Sequence, residues 1–285
     1  MRWWWLVIPA FVLVGINSFA PIFYIVYLSF TSYHMTGGTP KFIGLENYYK
    51  LVQDPDAWMG TLRGLGFSIM CTAIELLIGL CLALALKEYK GKIGTIITTI
   101  TVLPLFVPPV TVGTLFYSLA KAIFSPIPYI LGNLGIRYQF GTNPYHTIIT
   151  IVYMDVWHWT SLVAIILLAA LSGIPSEYYE AARIDRASRW TIFRRIVIPH
   201  IRFPMVVAAL IRFIDTFKIY DEIWVLTGWL PITKFLSILT VRTAIGEANM
   251  GYGSAIGLFF LYIVIIFTAL FMLITSIDER RKISK

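Results

Sequence analysis

Residues 1–30 read MRWWWLVIPAFVLVGINSFAPIFYIVYLSF. A basic residue ahead of an apolar stretch is how a secretory signal peptide starts, but the apolar core of such a peptide runs for only about 7–15 residues. Here the apolar run begins near residue 4 and continues through Pro21 to Phe30. That is long enough for the roughly 20 residues that cross a bilayer. Trp3, Trp4 and Trp5 suit the aromatic belt at a membrane–water interface. The stretch is therefore read as an uncleaved first span, and this choice sets the direction of every span after it.

Five more runs meet the same length: 65–86, 95–120, 146–171, 203–227 and 253–277. Of the 285 residues, 58% are hydrophobic and 13% charged, against about 45–50% and about 25% in a soluble domain. The expected fold is all-α and polytopic, with six transmembrane helices filling residues 1–285 as a single membrane domain. Cys71 and Cys81 lie in one apolar run; ten residues of helix span roughly 15 Å, beyond the ~4.4–6.8 Å of a disulfide. They are read as small apolar fillers.

The net charge of +8 raises the question of nucleic acid. With the N-terminus in the cytoplasm, segments 1–3, 87–94, 172–202 and 278–285 hold fourteen Lys and Arg, and the opposite loops hold seven. The positive-inside rule then gives N-in and C-in. The basic residues mark a membrane face, without the aromatic interleaving of a strand-binding surface, so no nucleic-acid partner is expected. The outer loops 31–62 and 121–145, rich in Gly, Pro, Tyr and Asn, are expected to form short helices and turns.

One inside loop is unusually long and charged: SGIPSEYYEAARIDRASRWTIFRRIVIPHIRFP, residues 172–204. Pro175 ends the preceding span, Ser176 is a candidate N-cap, and Glu177 and Glu180 favour the first turn of a helix over about 177–184. Asp185 to Ser188 reads as a turn, with Ser188 capping a second helix to about Ile196. Pro199 and Pro204 then set the re-entry into the membrane. A short helix with Ala181, Ala182 and Ala187 and the aromatic anchors Tyr178, Trp190 and Phe193 suits a groove on another protein. The same pattern also suits a helix lying on anionic headgroups.

The loop resembles the Glu-Ala-Ala loop of permease subunits of binding-protein-dependent ABC importers. Glu180, Ala181, Ala182, Ile196 and Pro199 stand at that pattern's spacing, with Arg186 in place of its glycine and Ile198 in place of its leucine. Glycine there permits positive φ, which costs another residue ~1–2 kcal/mol; the turn either keeps negative φ or carries that strain. The segments SFTSY (29–33), FIGLENYYKLVQDP (42–55), LPLFVPPV (103–110), DVWHWT (155–160), IPSEYYEAARID (174–185) and RFIDTFKIYDEIWVLTG (212–228) follow in the order seen in carbohydrate-uptake permeases. The resemblance implies a type I importer permease fold in the cytoplasmic (inner) membrane. It implies that Glu180, Ala181, Ala182, Asp185, Arg186 and Ala187 couple to a separate ATPase.

Ionisable residues inside spans are costly and point to function. The fourth run holds Asp155, His158 and Trp159, and the fifth holds Arg212, Asp215, Thr216 and Ile219 on or beside one face. Counted from the cytoplasmic ends of their spans, the two sets lie at a common depth of roughly 17–24 Å, where transporters place substrate. These seven residues are the candidate solute site. The competing reading is an internal salt-bridge cluster, with Arg212–Asp215 and Lys218–Glu222 pairs along one helix. Carboxylates, a guanidinium and an indole face suit a small polyhydroxy solute, and Asp155, Asp215, Asp221 and Glu222 outnumber Arg212 and Lys218, which favours a neutral one. Gly253 and Gly257 form a GxxxG, as suited to close helix approach as to chance.

No G-x-x-x-x-G-K-[ST] occurs, and the four histidines lack metal-ligand spacing. The expectation is a transport subunit without its own ATPase, cofactor or metal. Its expected partners are a second related permease, two ATP-binding cassette subunits that bind ATP and Mg, an extracytoplasmic solute-binding protein and membrane lipid. The alternative is an ATPase-independent secondary transporter that couples ions through the charged fifth span.

Overall fold

The computed structural model describes residue 5 and residues 7–89, 91–121 and 125–283, with side chains up to 273. The belt residues Trp3 and Trp4, and the basic Arg2, Lys90 and Lys285, lie outside the described residues. So do the side chains of Arg280, Arg281 and Lys282. The chain forms two compact units, residues 1–63 with 234–285, and residues 64–233. Among the described residues five helices are long and apolar enough to cross a membrane, or six if one bent pair is a single span.

In the first unit, α1 (Ile8–Ser29) packs along α13 (Met250–Ile283). Little of α1 is buried and Pro21 sits within it. The short helix α2 (Glu46–Gln53), the first turns of α3 (Pro55–Glu88) and α12 (Leu236–Val241) enclose a core of Leu51, Ala57, Leu236, Leu239, Tyr252 and Ile256. Asn47 Nδ2 donates to the carbonyls of Ser29 and Thr31, both at 2.9 Å, and so fixes the end of α1. Of the GxxxG pair, Gly253 has a clear packing role: a Cβ there would lie 2.6 Å from that of Ala244.

The second unit is built around α7 (Pro144–Ser172). Asn143 caps it, its side chain accepting from the amides of Tyr145 at 2.9 Å and His146 at 3.3 Å, and Pro144 takes the first-turn position where no amide partner is lost. Val163, Leu167 and Leu171 of α7 pack with Ala83 of α3, Ile174, Val197 and Ile201. The third apolar run is not one straight helix. α4 (Gly91–Val102) tightens into a turn at Leu103–Phe106, and α5 (Pro109–Ala120) leaves at 93°. Pro104, Pro108 and Pro109 remove three amides from this stretch. α6 (Pro126–Asn133) follows, a short helix within residues 121–145 as expected.

The fifth run also departs from expectation. Helix starts at Arg189 and runs through α9 (Arg189–Ile192), a wide turn at Phe193–Val197 and α10 (Ile198–Phe217). Pro199 and Pro204 therefore lie within continuous helix and do not mark a re-entry. Pro199 lacks the amide that would reach back four residues, and the turn just before it is wide, the Ile198 amide reaching back five residues to the Phe193 carbonyl. The helix then stops at Lys218, well short of the expected end near residue 227, and α11 (Asp221–Thr227) restarts after Tyr220.

The charged loop holds α8 (Ser176–Ile184), capped on its N-terminal side by Pro175, so the Ser176 hydroxyl does no capping. Ser188 does cap α9, accepting from the Thr191 amide at 3.1 Å. Between them Arg186 takes φ 49°, the left-handed region. The Ala187 amide reaches the Ala182 carbonyl at 2.9 Å and the Arg186 amide reaches that of Arg183 at 3.1 Å, which is a Schellman closure of α8. The turn thus keeps the glycine geometry with an arginine in it. Arg186→Gly is expected to raise stability by about 0.5–1 kcal/mol, the strain relieved less the extra entropy of an unfolded glycine. Thermal melting of the purified protein in detergent checks this; a lower midpoint contradicts it.

Candidate functional site

Two polar clamps on α7, one turn apart, organise the second unit. The first centres on Arg212 of α10. Its Nε donates to Glu75 Oε2 at 2.6 Å and its Nη2 to Glu75 Oε1 at 2.9 Å, a bidentate pair reaching α3. Nη2 also donates to Asp155 Oδ2 at 3.2 Å and to Thr216 Oγ1 at 2.8 Å. Glu75, Asp155, Arg212 and Thr216 are all buried. The guanidinium carbon lies 4.8 Å from the centre of the Trp159 ring, within range of a cation–π contact.

The second clamp is His158. Its Nε2 lies 3.0 Å from the Val107 carbonyl, an acceptor only, so Nε2 carries the hydrogen. Its Nδ1 lies 2.7 Å from Glu222 Oε1, which also accepts from Trp159 Nε1 at 3.3 Å. Val107 sits in the break between α4 and α5, so this clamp ties the broken third run and α11 to α7. Ser161 adds a bond to the Thr101 carbonyl at 2.6 Å. Gly113 lets α11 lie directly on α5: a Cβ there would stand 2.6 Å from the Glu222 carbonyl oxygen.

Between the clamps lies a cavity of about 340 Å³, lined by Pro109, Asp155, Trp159, Arg212, Asp215, Lys218, Ile219, Tyr220, Asp221 and Glu222. Its volume is in the range of small-molecule sites, about 300–1,000 Å³. The gap between α10 and α11 supplies part of the wall, as non-helical backbone at membrane depth must where it lines a cavity. Asp155, Trp159, Arg212, Asp215 and Ile219 line it, while His158 and Thr216 stand behind the lining and hold it. Three buried side-chain atoms on lining residues have no partner: Arg212 Nη1, Asp155 Oδ1 and Glu222 Oε2.

The salt-bridge partners differ from those expected along a single helix. Arg212 pairs with Glu75 and Asp155, not Asp215, and Lys218 pairs with Asp215 at 2.7 Å, not Glu222. Glu222 pairs with His158. Tertiary contacts with α3 and α7 take Arg212 away from its i,i+3 neighbour, and the helix end at Lys218 leaves that lysine with its i,i+3 partner Asp215 in place of Glu222. Glu75 is the participant that sequence reasoning missed. Its signal is a carboxylate inside the second apolar run, where an ionisable group needs a partner.

The charged loop presents a second set. Ala182 is buried and Tyr179 half-buried, while Glu180, Ala181 and Ile184 face out. Ile184 is 82% exposed and Trp190 67%. Asp185 caps α8, and Arg186 and Ala187 form its closing turn. Lys87 at the end of α3 donates to the Leu171 carbonyl at 2.9 Å and to Tyr179 Oη at 2.8 Å. This joins α8 to the ends of α3 and α7.

The sequence profile of a family described as "Binding-protein-dependent transport system inner membrane component" matches residues 75–283. The trehalose/maltose transport system permease protein MalF of Thermococcus litoralis is 33% identical over 237 residues, covering 81% of this chain and 79% of its own. The trehalose transport system permease protein SugA of Mycobacterium tuberculosis is 30% identical over 262 residues, covering 88% and 81%. Among solved structures, a chain of a bacterial alginate ABC transporter, in complex with alginate pentasaccharide-bound periplasmic protein, superposes with a TM-score of 0.82. It has 22% identity and covers 95% of this chain and 93% of that one, a likeness of fold.

Proposed function

This chain belongs to the inner-membrane components of binding-protein-dependent transport systems, and on that premise we propose that it passes a neutral sugar, polyol or related small polyhydroxy solute across the cytoplasmic membrane by alternating access. The observation that carries the solute class is the lining itself, four carboxylates, Asp155, Asp215, Asp221 and Glu222, against two cations, Arg212 and Lys218, beside the Trp159 ring. A hydroxyl both donates and accepts, so a polyol answers groups of both kinds. Trp159 offers the flat apolar surface that a sugar ring's C–H face covers. The relatives named for trehalose and maltose support the same class.

Energy enters from outside the chain. Of two ATP-binding cassette subunits, which hold the ATP and Mg, one docks on the loop 172–202, where Glu180, Ala181 and the exposed apolar Ile184 form one face. Asp185, Arg186 and Ala187 close the turn that sets its angle. A second related permease completes the membrane pair, and an extracytoplasmic binding protein delivers the solute. The chain itself holds the path and has no ATPase, cofactor or metal of its own.

The test uses the reconstituted assembly in vesicles. Asp155→Asn and Trp159→Ala are each expected to cut labelled trehalose uptake at least about tenfold, the loss of a charge-assisted hydrogen bond or of an aromatic surface. ATPase subunits remain bound in both. Uptake at the wild-type rate in both variants overturns the assignment.

A further inference from the structure

Three aromatic rings lead away from the cavity in series. Tyr220, at the start of α11, lines the cavity itself. Its ring lies 6.2 Å from that of Trp224, with the two planes 7° apart. Trp224 in turn meets Trp229 at 4.2 Å, edge to face at 62°. The first step is four residues, one helical turn, which keeps both rings on one face. The second step is five residues, which continued helix would carry off that face. Gly228 makes the contact: α11 ends there with the Gly228 amide on the Trp224 carbonyl at 2.8 Å and φ at 58°, a left-handed value that glycine takes without strain. The series thus starts in the cavity wall and ends on a ring that is 40% exposed.

In the N-in topology read from the charges, α10 runs outward, so α11 and Trp229 lie on the side from which a binding protein delivers solute. Tyr and Trp also gather at the membrane–water interface. Rings in that role need neither contact with one another nor a place in a cavity wall, and this series has both. Indole and phenol rings give large, rigid contact area at little entropic cost, and their faces suit the C–H face of a sugar ring. We propose that Tyr220, Trp224 and Trp229 form an entry subsite, an aromatic track that takes the apolar face of a sugar ring at the outer mouth and hands it on to Trp159 in the cavity. The proposal rests on the neutral-solute reading above and narrows it to sugars in ring form, because an open-chain polyol has no flat C–H face to lay on the rings.

The experiment uses the intact transporter, this chain with its partner permease and ATPase subunits, in vesicles with ATP on the side of α8. Binding protein loaded with labelled trehalose or maltose is supplied on the other side. The photoreactive residue p-benzoylphenylalanine is placed at position 229 or, as the control, at the exposed Tyr49 of α2, in the outer loop 31–62. Illumination is expected to attach labelled sugar at position 229 at least about tenfold more than at position 49. Trp229→Leu, which keeps apolar bulk and loses the ring, is expected to slow sugar uptake at least about threefold, and Trp229→Phe is expected to hold it within about twofold of the wild type. Equal labelling at the two positions, or uptake by Trp229→Leu at the wild-type rate, overturns the track and leaves the neutral-solute reading standing. A wild type that takes up neither sugar is a different result, and it overturns both. Should Trp229→Leu fail to assemble, the labelling decides alone, since the photoreactive residue is itself aromatic and bulky.

Discussion

Replacing Arg212 by alanine is expected to cost the protein about 3–5 kcal/mol, the penalty for leaving buried charge without its partner. Glu75 and Asp155 are both fully buried and both lean on this one guanidinium. Removing it strands two carboxylates at once and unties α3, α7 and α10. The readout is the thermal midpoint of the purified assembly in detergent, expected to fall by about 10 °C. Removing both ends of the bidentate pair, Glu75→Gln with Arg212→Gln, is expected to recover more than half of that loss, because two neutral amides of similar size can bond to each other. A midpoint for Arg212→Ala within about 2 °C of the wild type contradicts a triad held together by this guanidinium.

The second large effect is expected at Ile184. At 82% exposure it makes little contact within its own chain, so Ile184→Asp is expected to change stability by less than about 0.5 kcal/mol. In the assembly proposed above the same change sets a carboxylate where Ile184 presents an apolar side chain to the ATPase. The loss of a buried aliphatic side chain, about 1.5–3 kcal/mol, and the cost of burying an unpaired charge together weaken ATPase docking by about 100-fold or more. Co-purification of the ATPase subunits and ATP-driven uptake are expected to fall together. Normal co-purification with normal uptake removes α8 as the docking element.

Much of this molecule can be read along the chain, for identifiable reasons. Apolar length alone finds the spans, because lipid demands it. Asn143-Pro144 and Ser188 mark helix starts through backbone chemistry that acts within three residues. What depends on distant partners is not readable this way. Three prolines around residues 104–109 are visible, but the 93° bend they permit is settled by His158 and Ser161 reaching in from α7. Lys218 to Tyr220 contains neither Gly nor Pro, so the stop of α10 carries no local signal. Pro199 and Pro204 look like breaks, yet a wide turn and neighbouring helix absorb them.

The candidate site shows the same division. Counting residues along two spans puts Asp155 and Arg212 at a common depth, and they are in contact at 3.2 Å. Their pairing with Glu75, 137 positions from Arg212, is a tertiary fact. Arg186 is a visible departure from a glycine pattern, but only the backbone shows that the turn keeps φ 49° despite it.

Lys87 and Tyr179 link α8 to the ends of the helices that carry Glu75 and Asp155. The central claim is that work done on α8 by ATP hydrolysis moves solute through the cavity. The measurement that tests it most directly is uptake of labelled sugar into vesicles holding the full assembly, with loaded binding protein on the side it serves and ATP on the side of α8. Uptake is expected to require ATP, to persist when an uncoupler collapses ion gradients, and to vanish with Ile184→Asp. Uptake by this chain without ATPase subunits, driven by an ion gradient and abolished by the uncoupler, contradicts the account.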